Sequence, residues 1–496
     1  MAFRVLFGLH SGELTMHSQP RLNAASIPPL VVDLDGCLIQ TDLLLESSIL
    51  LLKKSPIATF YLPFWLFRGK AYLKRRIAER IKLEAQFLPY HSSFLEYLRE
   101  QHKAGRLLVL ATASDERLAV EVAEHLAMFD VVLASDGYAN GAGERKLLSL
   151  IERYGRHGFD YAGNAKIDLI IWRHAREAII VSSRRHVQRL AGNLMAVRQV
   201  FYRASPSVKD YLKALRVHQW LKNVLLFVPL FTAHAWRDVF AASHALLAFI
   251  AFCLCASSTY IFNDLLDLQS DRKHPNKRNR PFASGAIPVT QGITISVVVM
   301  VIGLVTGSLV NLRFFALLSL YIGITTAYSL HLKSYVLIDV MVLAGLYTLR
   351  IIAGGVATQI PISFWLLAFG MFLFVSLAIL KRYSELRLLA QANQLAADSR
   401  DYQVSDLLNL SLMGIASGYL AVLVFALYLQ NPELTNLYTH QELLWLLCPA
   451  FFYWVSRMWL KASRGEMHDD PLVFAVYDRG SRCLCMAVFL IVFFAL

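Results

Sequence analysis

Apolar and polar positions follow two different patterns along the chain, and the change between them falls near residue 205. Before that point, short apolar runs with the length of β-strands alternate with mixed segments that are typical of helices. The strand-like runs are 30–33, 107–110, 131–133, 161–163 and 178–181. Strands separated by helical patterns predict a parallel α/β sheet. We therefore expect one α/β domain over residues 27–200, after an N-terminal extension of residues 1–26.

Residues 43–105 interrupt this alternation between the first and second predicted strands. The segment is helical in pattern and rich in aromatic side chains, namely Phe60, Tyr61, Phe64, Trp65 and Phe67. Three interpretations are open. The insertion could be a cap over an active site, a surface that lies on a membrane, or an ordinary set of packed helices.

From residue 206 onwards, long apolar runs replace the short ones. Each is close to the ~20 residues with which a helix crosses a bilayer. The nine runs are 220–235, 239–262, 289–310, 313–331, 336–357, 362–380, 406–429, 443–460 and 482–496. They predict an all-α polytopic membrane domain of about nine transmembrane helices over residues 206–496.

Composition agrees with a membrane protein. Of the 496 residues, 56% are apolar and 17% are charged, against roughly 45–50% and about 25% in soluble domains. A disordered chain is excluded, and an ordinary soluble enzyme is disfavoured. The six cysteines include no CxxC pair and lie mostly in apolar runs, so neither a disulfide framework nor a zinc site is expected.

The formal net charge of +13 is explained mostly by the membrane domain. Lys and Arg are concentrated in alternate connections between the predicted spans, while the other connections carry only Arg237 and Arg313. Because cytoplasmic connections retain Lys and Arg, this asymmetry predicts a cytoplasmic N-terminal domain followed by an odd number of spans. We expect an integral multi-pass protein of a bacterial inner membrane, with the lipid bilayer and not nucleic acid as a partner.

Three carboxylates follow the second predicted span. Asp264, Asp267 and Asp271 are spaced i, i+3 and i+7, so on a helix they share one face. Basic and imidazole side chains come directly after them, namely Arg272, Lys273, His274, Lys277, Arg278 and Arg280. Mg²⁺ ions that bridge the carboxylates to a diphosphate fit this arrangement, with the cations meeting the remaining phosphate charge. A solvated charged loop is the alternative, but it would not need carboxylates in phase.

The pattern Asn-Asp-x-x-Asp-x-x-x-Asp, from Asn263 to Asp271, resembles the UbiA superfamily of intramembrane prenyltransferases. The resemblance covers most of residues 206–496. It implies that Asn263 contacts the diphosphate of an isoprenoid donor, and that Asp264, Asp267 and Asp271 bind magnesium on it.

The chain departs from that family where a second Asp-rich motif is usual. The corresponding stretch, residues 380–386, reads Leu-Lys-Arg-Tyr-Ser-Glu-Leu. Together with residues 328–333, Asp339, residues 350–355 and residues 469–471, it resembles decaprenyl-phosphate phosphoribosyltransferases. That subgroup implies transfer of 5-phosphoribose from phosphoribosyl diphosphate to a polyprenyl phosphate.

Holding a monophosphate and a 5-phosphate calls for cations in place of a second metal cluster. The candidate substrate-binding residues are Asn263, Lys277, Arg278, Arg280, Tyr328, Lys333, Arg350, Lys381 and Arg382. Arg350 lies inside an apolar span, which favours function, although a structural partner such as Asp339 is an alternative. Tyr328 and Tyr383 fit interfacial anchoring as well as substrate binding. Asp469 and Asp470 fit either the site or a helix cap.

The first strand ends in Asp33-Leu34-Asp35-Gly36, which resembles the first motif of the haloacid dehalogenase superfamily. Thr112, Lys146 and residues 163–168 match further motifs in order. The resemblance implies a Rossmann-like fold with a helical cap, in which Asp33 is the nucleophile and Asp35 the general acid/base. Thr112 and Lys146 would hold the phosphoryl group, and Asp168 would bind Mg²⁺ with Asp33 and Asp35.

Two departures from that pattern leave an active phosphatase and a degenerate scaffold both open. Cys37 stands where threonine is usual, and Asn164 stands where an acid is usual. Losing that carboxylate should weaken magnesium binding.

These resemblances combine into one hypothesis. The membrane domain would attach 5-phosphoribose to a polyprenyl phosphate, and the N-terminal domain would remove the 5-phosphate, giving a polyprenyl-phosphoryl pentose for cell-envelope glycan synthesis. One alternative is a conventional prenyltransferase that joins a prenyl diphosphate to an aromatic or quinone precursor. Another is a non-catalytic membrane scaffold.

Overall fold

The computed structural model describes residues 27–136, 141–182, 196–202, 205–274, 277–391, 401–431, 437–467 and 470–496. The chain divides into two compact units. The first, called here the α/β unit, comprises Met1–Ala214 and Ile261–Thr294. The second, called the helical unit, comprises Leu215–Tyr260 and Ile295–Leu496. The predicted extension over residues 1–26 and the candidate residue Asp469 lie outside the described residues.

A six-stranded parallel sheet forms the centre of the α/β unit, in the order β3-β2-β1-β4-β5-β6. The strands are β1 Leu30–Val32, β2 Leu108–Asp115, β3 Val131–Ser135, β4 Asp160–Gly163, β5 Ala178–Val181 and β6 Val197–Phe201. The predicted parallel α/β sheet is thereby confirmed. The last strand was not predicted, because its edge position leaves Arg198 and Gln199 exposed and breaks the apolar run.

Helices pack on both faces of this sheet. The helices of the unit up to residue 214 are α1 Leu43–Lys54, α2 Pro56–Thr59, α3 Leu62–Phe67, α4 Lys70–Ala78, α5 Ser92–Lys103, α6 Glu116–Leu126, α7 Glu144–Tyr154, α8 Leu169–Trp172 and α9 Val208–Ala214. In β1, Leu30 and Val32 pack into one core cluster and Val31 into the other. Burial on both faces explains why these strands read as continuous apolar runs.

Long helices make up most of the helical unit. The remaining helices of the chain are α10 Val228–Thr232, α11 Val239–Leu266, α12 Leu268–Lys273, α13 Val289–Ser308, α14 Leu312–Leu330, α15 Ile338–Thr358, α16 Phe364–Gln391, α17 Leu407–Tyr428, α18 Leu447–Ser463, α19 Pro471–Tyr477 and α20 Arg479–Ala495. Segment 261–294, which contains the end of α11, all of α12 and the start of α13, belongs to the α/β unit.

Within the described residues, seven helices are long and apolar enough to cross a membrane. They correspond to seven of the nine predicted spans. The other two differ from the prediction: residues 217–232 form a 3₁₀ segment, Val217–Phe227, followed by the short α10, and α20 has 17 residues. Pro229 and the polar pair Lys222 and Asn223 account for the first difference, since they interrupt the apolar run.

Candidate functional site

A cavity of about 210 Å³ lies at the carboxyl edge of the sheet in the α/β unit. Asp33 and Asp35 follow β1 directly, and Thr112 lies on the neighbouring strand β2. The lining includes Asp33, Asp35, Lys74, Ser114, Lys146 and Asp168. Because the ends of parallel strands meet at one edge of a sheet, residues far apart in sequence converge there.

Lys146 provides the buried cation of this cavity. It lies on α7, which begins after Gly143, a residue with φ of +58°. Its ammonium group is 2.7 Å from Asp33 Oδ1, 3.1 Å from the Ala111 carbonyl oxygen and 3.3 Å from the Tyr161 hydroxyl. Burial alone would lower the pKa of Lys146, but the neighbouring carboxylates outweigh it and the pKa is raised. The ammonium group therefore stays charged beside Asp33.

Three hydrogen bonds fix the orientation of the Asp35 carboxyl group. Its Oδ1 accepts from the Leu43 backbone N–H at 2.8 Å, and its Oδ2 accepts from Ser114 Oγ at 2.7 Å and from Thr112 Oγ1 at 3.4 Å. Burial, with the nearby charge of Asp42, raises the pKa of Asp35 to about 6. A carboxyl group in this range can donate a proton near neutral pH. Sequence reasoning missed Ser114, which follows Thr112 by two positions on the same face of β2.

Asp168 is fixed by the loop after β4. Its Oδ2 accepts from the backbone N–H groups of Asn164 and Ala165, each at 2.9 Å, and its Oδ1 accepts from the Tyr161 hydroxyl at 3.0 Å. Burial and the charge of Asp33 raise the pKa of Asp168 to about 6. All five residues predicted for this site, Asp33, Asp35, Thr112, Lys146 and Asp168, are thus brought together.

The two positions that depart from the expected motif, Asn164 and Cys37, are both closely packed. Asn164 lies so close to Gly36 that a Cβ atom on that glycine would be 2.2 Å from Asn164 Nδ2. Cys37 is fully buried, and burial raises the pKa of its thiol well above the ordinary value. A buried neutral thiol is a packing residue, not a nucleophile.

The three predicted carboxylates of segment 261–294 lie around a break between two helices. Asp264 is near the end of α11, Asp267 precedes α12 and Asp271 lies within α12. Arg280 bridges two of them, with Nη1 3.0 Å from Asp264 Oδ1 and 2.6 Å from Asp271 Oδ2. Lys53 of α1 places its ammonium group 2.6 Å from Asp267 Oδ1. Each carboxylate therefore has a side-chain cation beside it.

This donor set suits a hard divalent cation. Carboxylate oxygens are the ligands that Mg²⁺ prefers, and the Arg280 guanidinium already holds positive charge between Asp264 and Asp271. Asn263 Oδ1 is buried and has no hydrogen-bond partner among the described residues. Burial raises the pKa of Asp271, and Arg280 offsets this only in part. In the described ranges no three His, Cys, Asp or Glu side chains are already gathered as metal ligands, so the carboxylates would have to close around an ion.

A buried ion pair fixes segment 261–294 to α1. Arg272 donates to both oxygens of Glu46, at 2.9 and 2.6 Å, and its Nε donates to the Ala283 carbonyl oxygen at 2.9 Å. Both charged side chains are almost completely buried. Sequence reasoning missed Glu46 and Lys53, because their partners are 226 and 214 residues away.

Two predicted cations of segment 261–294 lie at the surface. Lys277 and Arg278 are exposed on a 3₁₀ turn, Lys277–Asn279. The structure therefore brings Arg280 to the carboxylates and leaves Lys277 and Arg278 at the surface.

A second polar cluster lies inside the helical unit. Lys222 and Lys381 place their ammonium groups 2.7 and 3.0 Å from Asp470 Oδ2. Asp470 also caps α19, since its Oδ1 accepts from the Leu472 backbone N–H. Burial alone would raise the pKa of Asp470, but the two ammonium groups hold it well below its ordinary value. Lys222 was not predicted as a site residue. The signal that identified Arg350, a cation within an apolar run, applies to Lys222 as well.

Arg350 has neutral partners within its unit. Its Nε donates to Asn223 Oδ1 at 2.9 Å, its Nη1 to the Leu346 carbonyl oxygen at 2.6 Å and its Nη2 to the Tyr321 hydroxyl at 3.1 Å. The close approach of residues 217–227 to α15 depends on Gly354, where a Cβ atom would be 2.1 Å from the Leu226 carbonyl oxygen. The suggested pairing of Arg350 with Asp339 is wrong.

Asp339 instead pairs with Arg382. The buried guanidinium of Arg382 also donates to Glu385 at 2.6 Å and to the Tyr328 hydroxyl at 2.8 Å. Tyr402 donates to the other oxygen of Asp339 at 2.6 Å. All three nitrogens of Arg382 thus have protein partners, and Tyr328 is one of them.

Lys333, the remaining candidate, lies on a 3₁₀ turn, Leu332–Ser334, and is partly buried. It belongs to the helical unit, like Arg350, Lys381 and Arg382.

Comparison with known proteins identifies the family of the chain. Residues 224–474 match the UbiA prenyltransferase family. The uncharacterized protein y4nM of Sinorhizobium fredii is 37% identical over 456 residues, which are 91% of this chain and 88% of that protein. The nodulation protein NoeC of Azorhizobium caulinodans is 37% identical over 56% of this chain and 89% of its own length.

A relative with an enzymatic name matches a shorter stretch. The decaprenyl-phosphate phosphoribosyltransferase of Mycolicibacterium smegmatis is 35% identical over 187 residues, which are 36% of this chain and 58% of that protein. The family match over half of the chain and the nearly full-length relative agree with the seven apolar helices. The chain is therefore an integral multi-pass membrane protein that belongs to the UbiA prenyltransferase family.

Proposed function

We propose that the chain transfers 5-phosphoribose from phosphoribosyl diphosphate to the phosphate of a polyprenyl phosphate. The observation that carries the proposal is the likeness to relatives named decaprenyl-phosphate phosphoribosyltransferase, 35–36% identical over 36% of this chain. Polyprenyl phosphate as acceptor is supported by the two lysines that share Asp470, in place of a second Asp-rich motif.

The carboxylates of segment 261–294 have the role of binding the donor. Asp264, Asp267 and Asp271 would hold Mg²⁺, whose contribution is to neutralise charge on the departing diphosphate. Arg280 and Lys53, released from these carboxylates, would pair with phosphate oxygens. Asn263 would donate to the diphosphate, and Lys277 and Arg278 would attract it from the surface.

The cations of the helical unit have the role of holding phosphate groups. Lys222 and Lys381 have ammonium groups beside a buried carboxylate, and Arg350 keeps N–H groups beyond the three bonds described. Lys333 and Tyr328 would contribute further contacts. Arg382 would first have to exchange Asp339 or Glu385 for a phosphate, so we assign it mainly to positioning α16.

We further infer that the α/β unit is a phosphatase of the haloacid dehalogenase type. Asp33 would attack phosphorus and form an acyl phosphate, while Asp35 gives its proton to the departing alcohol oxygen; water would then release phosphate. Lys146 and Thr112 would hold the phosphoryl oxygens, and the carboxylates of Asp33 and Asp168 would bind Mg²⁺, which leaves the Asp35 carboxyl for proton transfer. The raised pKa of Asp35 and the enclosed Lys146 support this assignment.

The two reactions fit together chemically. The first leaves a phosphomonoester on the ribose, and the second removes a phosphomonoester, so their product would be a polyprenyl-phosphoryl pentose for cell-envelope glycan synthesis. The distribution of Lys and Arg supports an inner-membrane protein with the α/β unit in the cytoplasm.

The test is a substrate assay with the purified full-length protein. With phosphoribosyl diphosphate, polyprenyl phosphate and Mg²⁺ we expect release of diphosphate, and with Asp267→Ala none. Turnover only with a prenyl diphosphate and an aromatic acceptor would replace this proposal by a conventional prenyltransferase. No turnover and no magnesium-dependent donor binding would favour a scaffold.

A further inference from the structure

An apolar ridge, residues 56–67, lies on the helical insertion of the α/β unit and takes no part in the sites above. It consists of α2, the turn that follows and α3. Six large apolar side chains are exposed on it, namely Ile57, Phe60, Tyr61, Phe64, Leu66 and Phe67, ranging from 50% for Leu66 to 89% for Phe67. Protein surfaces rarely show so dense an apolar patch unless it meets a partner or a membrane.

Cations predominate around the ridge, and the neighbouring acid Glu79 pairs with Arg76 at 3.0 Å and with Arg80 at 3.8 Å, so a phosphate would compete with one carboxylate for two guanidinium groups. Between residues 47 and 78 there are seven Lys and Arg residues and no Asp or Glu. Cations near a membrane surface are attracted by anionic lipid head groups. The combination of exposed aromatics and cations matches segments that lie in the interface of a bilayer.

A cavity of about 300 Å³ beside the ridge offers a place for a phosphate group. Tyr61, Trp65, Arg76 and Arg80 are among its lining residues. The Trp65 ring stacks on Tyr61 at 6.3 Å, and the Arg80 guanidinium lies 4.9 Å from the Trp65 ring. Arg76 Nε is buried and has no hydrogen-bond partner among the described residues. Two guanidinium groups beside aromatic rings suit a phosphate at the boundary of the acyl region.

We propose that the apolar ridge inserts into the interfacial layer of the bilayer, and that Arg76 and Arg80 bind the head-group phosphate of an anionic phospholipid. The same chain is anchored in a membrane by its long apolar helices, so lipid is always within its reach. The partner is therefore the lipid surface, and the side chains of the ridge act as an anchor of the α/β unit that is separate from the transmembrane helices.

The test measures the depth of a spin label on the full-length chain in nanodiscs. Phe67→Cys, at the most exposed position of the ridge, carries the nitroxide in a background where Cys448, Cys483 and Cys485 are serine. Leu148→Cys on α7, which is 64% exposed, is the matched control. In nanodiscs of equal parts phosphatidylcholine and phosphatidylglycerol, we expect the label at position 67 to be accessible to oxygen and inaccessible to a water-soluble nickel complex. The label at 148 should show the reverse.

A second variant tests the head-group site. Arg76→Gln combined with Arg80→Gln should lower the oxygen-to-nickel accessibility ratio at position 67 several-fold in the mixed lipid and leave it unchanged in phosphatidylcholine alone. Equal nickel accessibility at 67 and 148 would overturn membrane insertion. Shielding of the label at 67 from both reagents would do so too, since it indicates contact with protein, such as a second copy. An equal effect of the arginine variant in both lipids would overturn the head-group assignment.

Discussion

The two carboxylate sites of the α/β unit use similar residues and build them in different ways. Asp33, Asp35 and Asp168 line one cavity at the edge of the sheet, and the buried Lys146 is paired with Asp33. Asp264, Asp267 and Asp271 are held at a break between helices, and their cations are side chains that are 28–34% exposed. In the first set one carboxylate, Asp33, is paired with a buried cation, whereas in the second set each carboxylate is paired with a partly exposed cation.

The difference also lies in the hydrogen bonds behind the carboxylates. Asp35 accepts three hydrogen bonds and Asp168 accepts three, from backbone N–H and hydroxyl groups on β2, β4, the start of α1 and the loop after β4. Asp264 and Asp271 share one arginine. Neutral donors therefore orient Asp35 and Asp168, whereas charged side chains lie beside Asp264, Asp267 and Asp271.

The largest expected effect is the separation of phosphomonoester hydrolysis from diphosphate release by single substitutions. Asp35→Asn should reduce hydrolysis of a soluble phosphomonoester by about 10²–10⁴-fold, because the proton for the leaving group is lost, and should leave diphosphate release unchanged. Asp267→Ala should show the opposite pattern. The measurement is phosphate release and diphosphate release on the same purified samples. If both activities fell together in Asp35→Asn, the two sites would not be independent.

The next effect tests the ion pair that fixes segment 261–294. Glu46→Gln leaves Arg272 buried without its counter-charge, which should cost about 3–5 kcal/mol. Hydrogen exchange in α1 and segment 261–294 of the full-length protein reports this as lost protection. The matched control is Glu84→Gln, which removes the exposed pair with Lys273 and should cost no more than about 1 kcal/mol. Equal protection in both variants would contradict the assigned role of Glu46.

The smallest effect concerns the lysines of the helical unit. Lys381→Gln should raise the KM for polyprenyl phosphate about tenfold with little change in kcat, since one charge-assisted contact is lost and Lys222 still balances Asp470. Lys461→Gln, which removes the pair with Glu466 and a longer contact with Asp478 that Arg457 still balances, is the control. A fall in kcat at unchanged KM would mean that Lys381 does not bind the acceptor.

The residues named from the sequence for the α/β cavity lie together in the structure. Asp33, Asp35, Thr112, Lys146 and Asp168 were named from the resemblance to the haloacid dehalogenase superfamily, and the pairing of β1 with β2 in the parallel sheet brings the first three to one edge. Ser114 was missed although the same alternation places it beside Asp35.

The partners of the helical segments depend on tertiary packing and could not be read from the sequence. Nothing near Glu46 or Lys53 indicates Arg272 or Asp267, more than two hundred residues away. Arg350 and Asp339 looked like a pair because both interrupt apolar runs, yet Arg382 satisfies Asp339. Residues 220–235 looked long enough to span a membrane, but Pro229, Lys222 and Asn223 favour a 3₁₀ segment and a short helix.

The most direct test of the central claim is the mass of the lipid product formed from phosphoribosyl diphosphate and polyprenyl phosphate. We expect the wild-type chain to yield a polyprenyl-phosphoryl ribose without a 5-phosphate, and Asp33→Asn to accumulate the 5-phosphorylated lipid at an unchanged rate of diphosphate release. The same dephosphorylated lipid from both proteins, or no ribosylated lipid from either, would contradict the account.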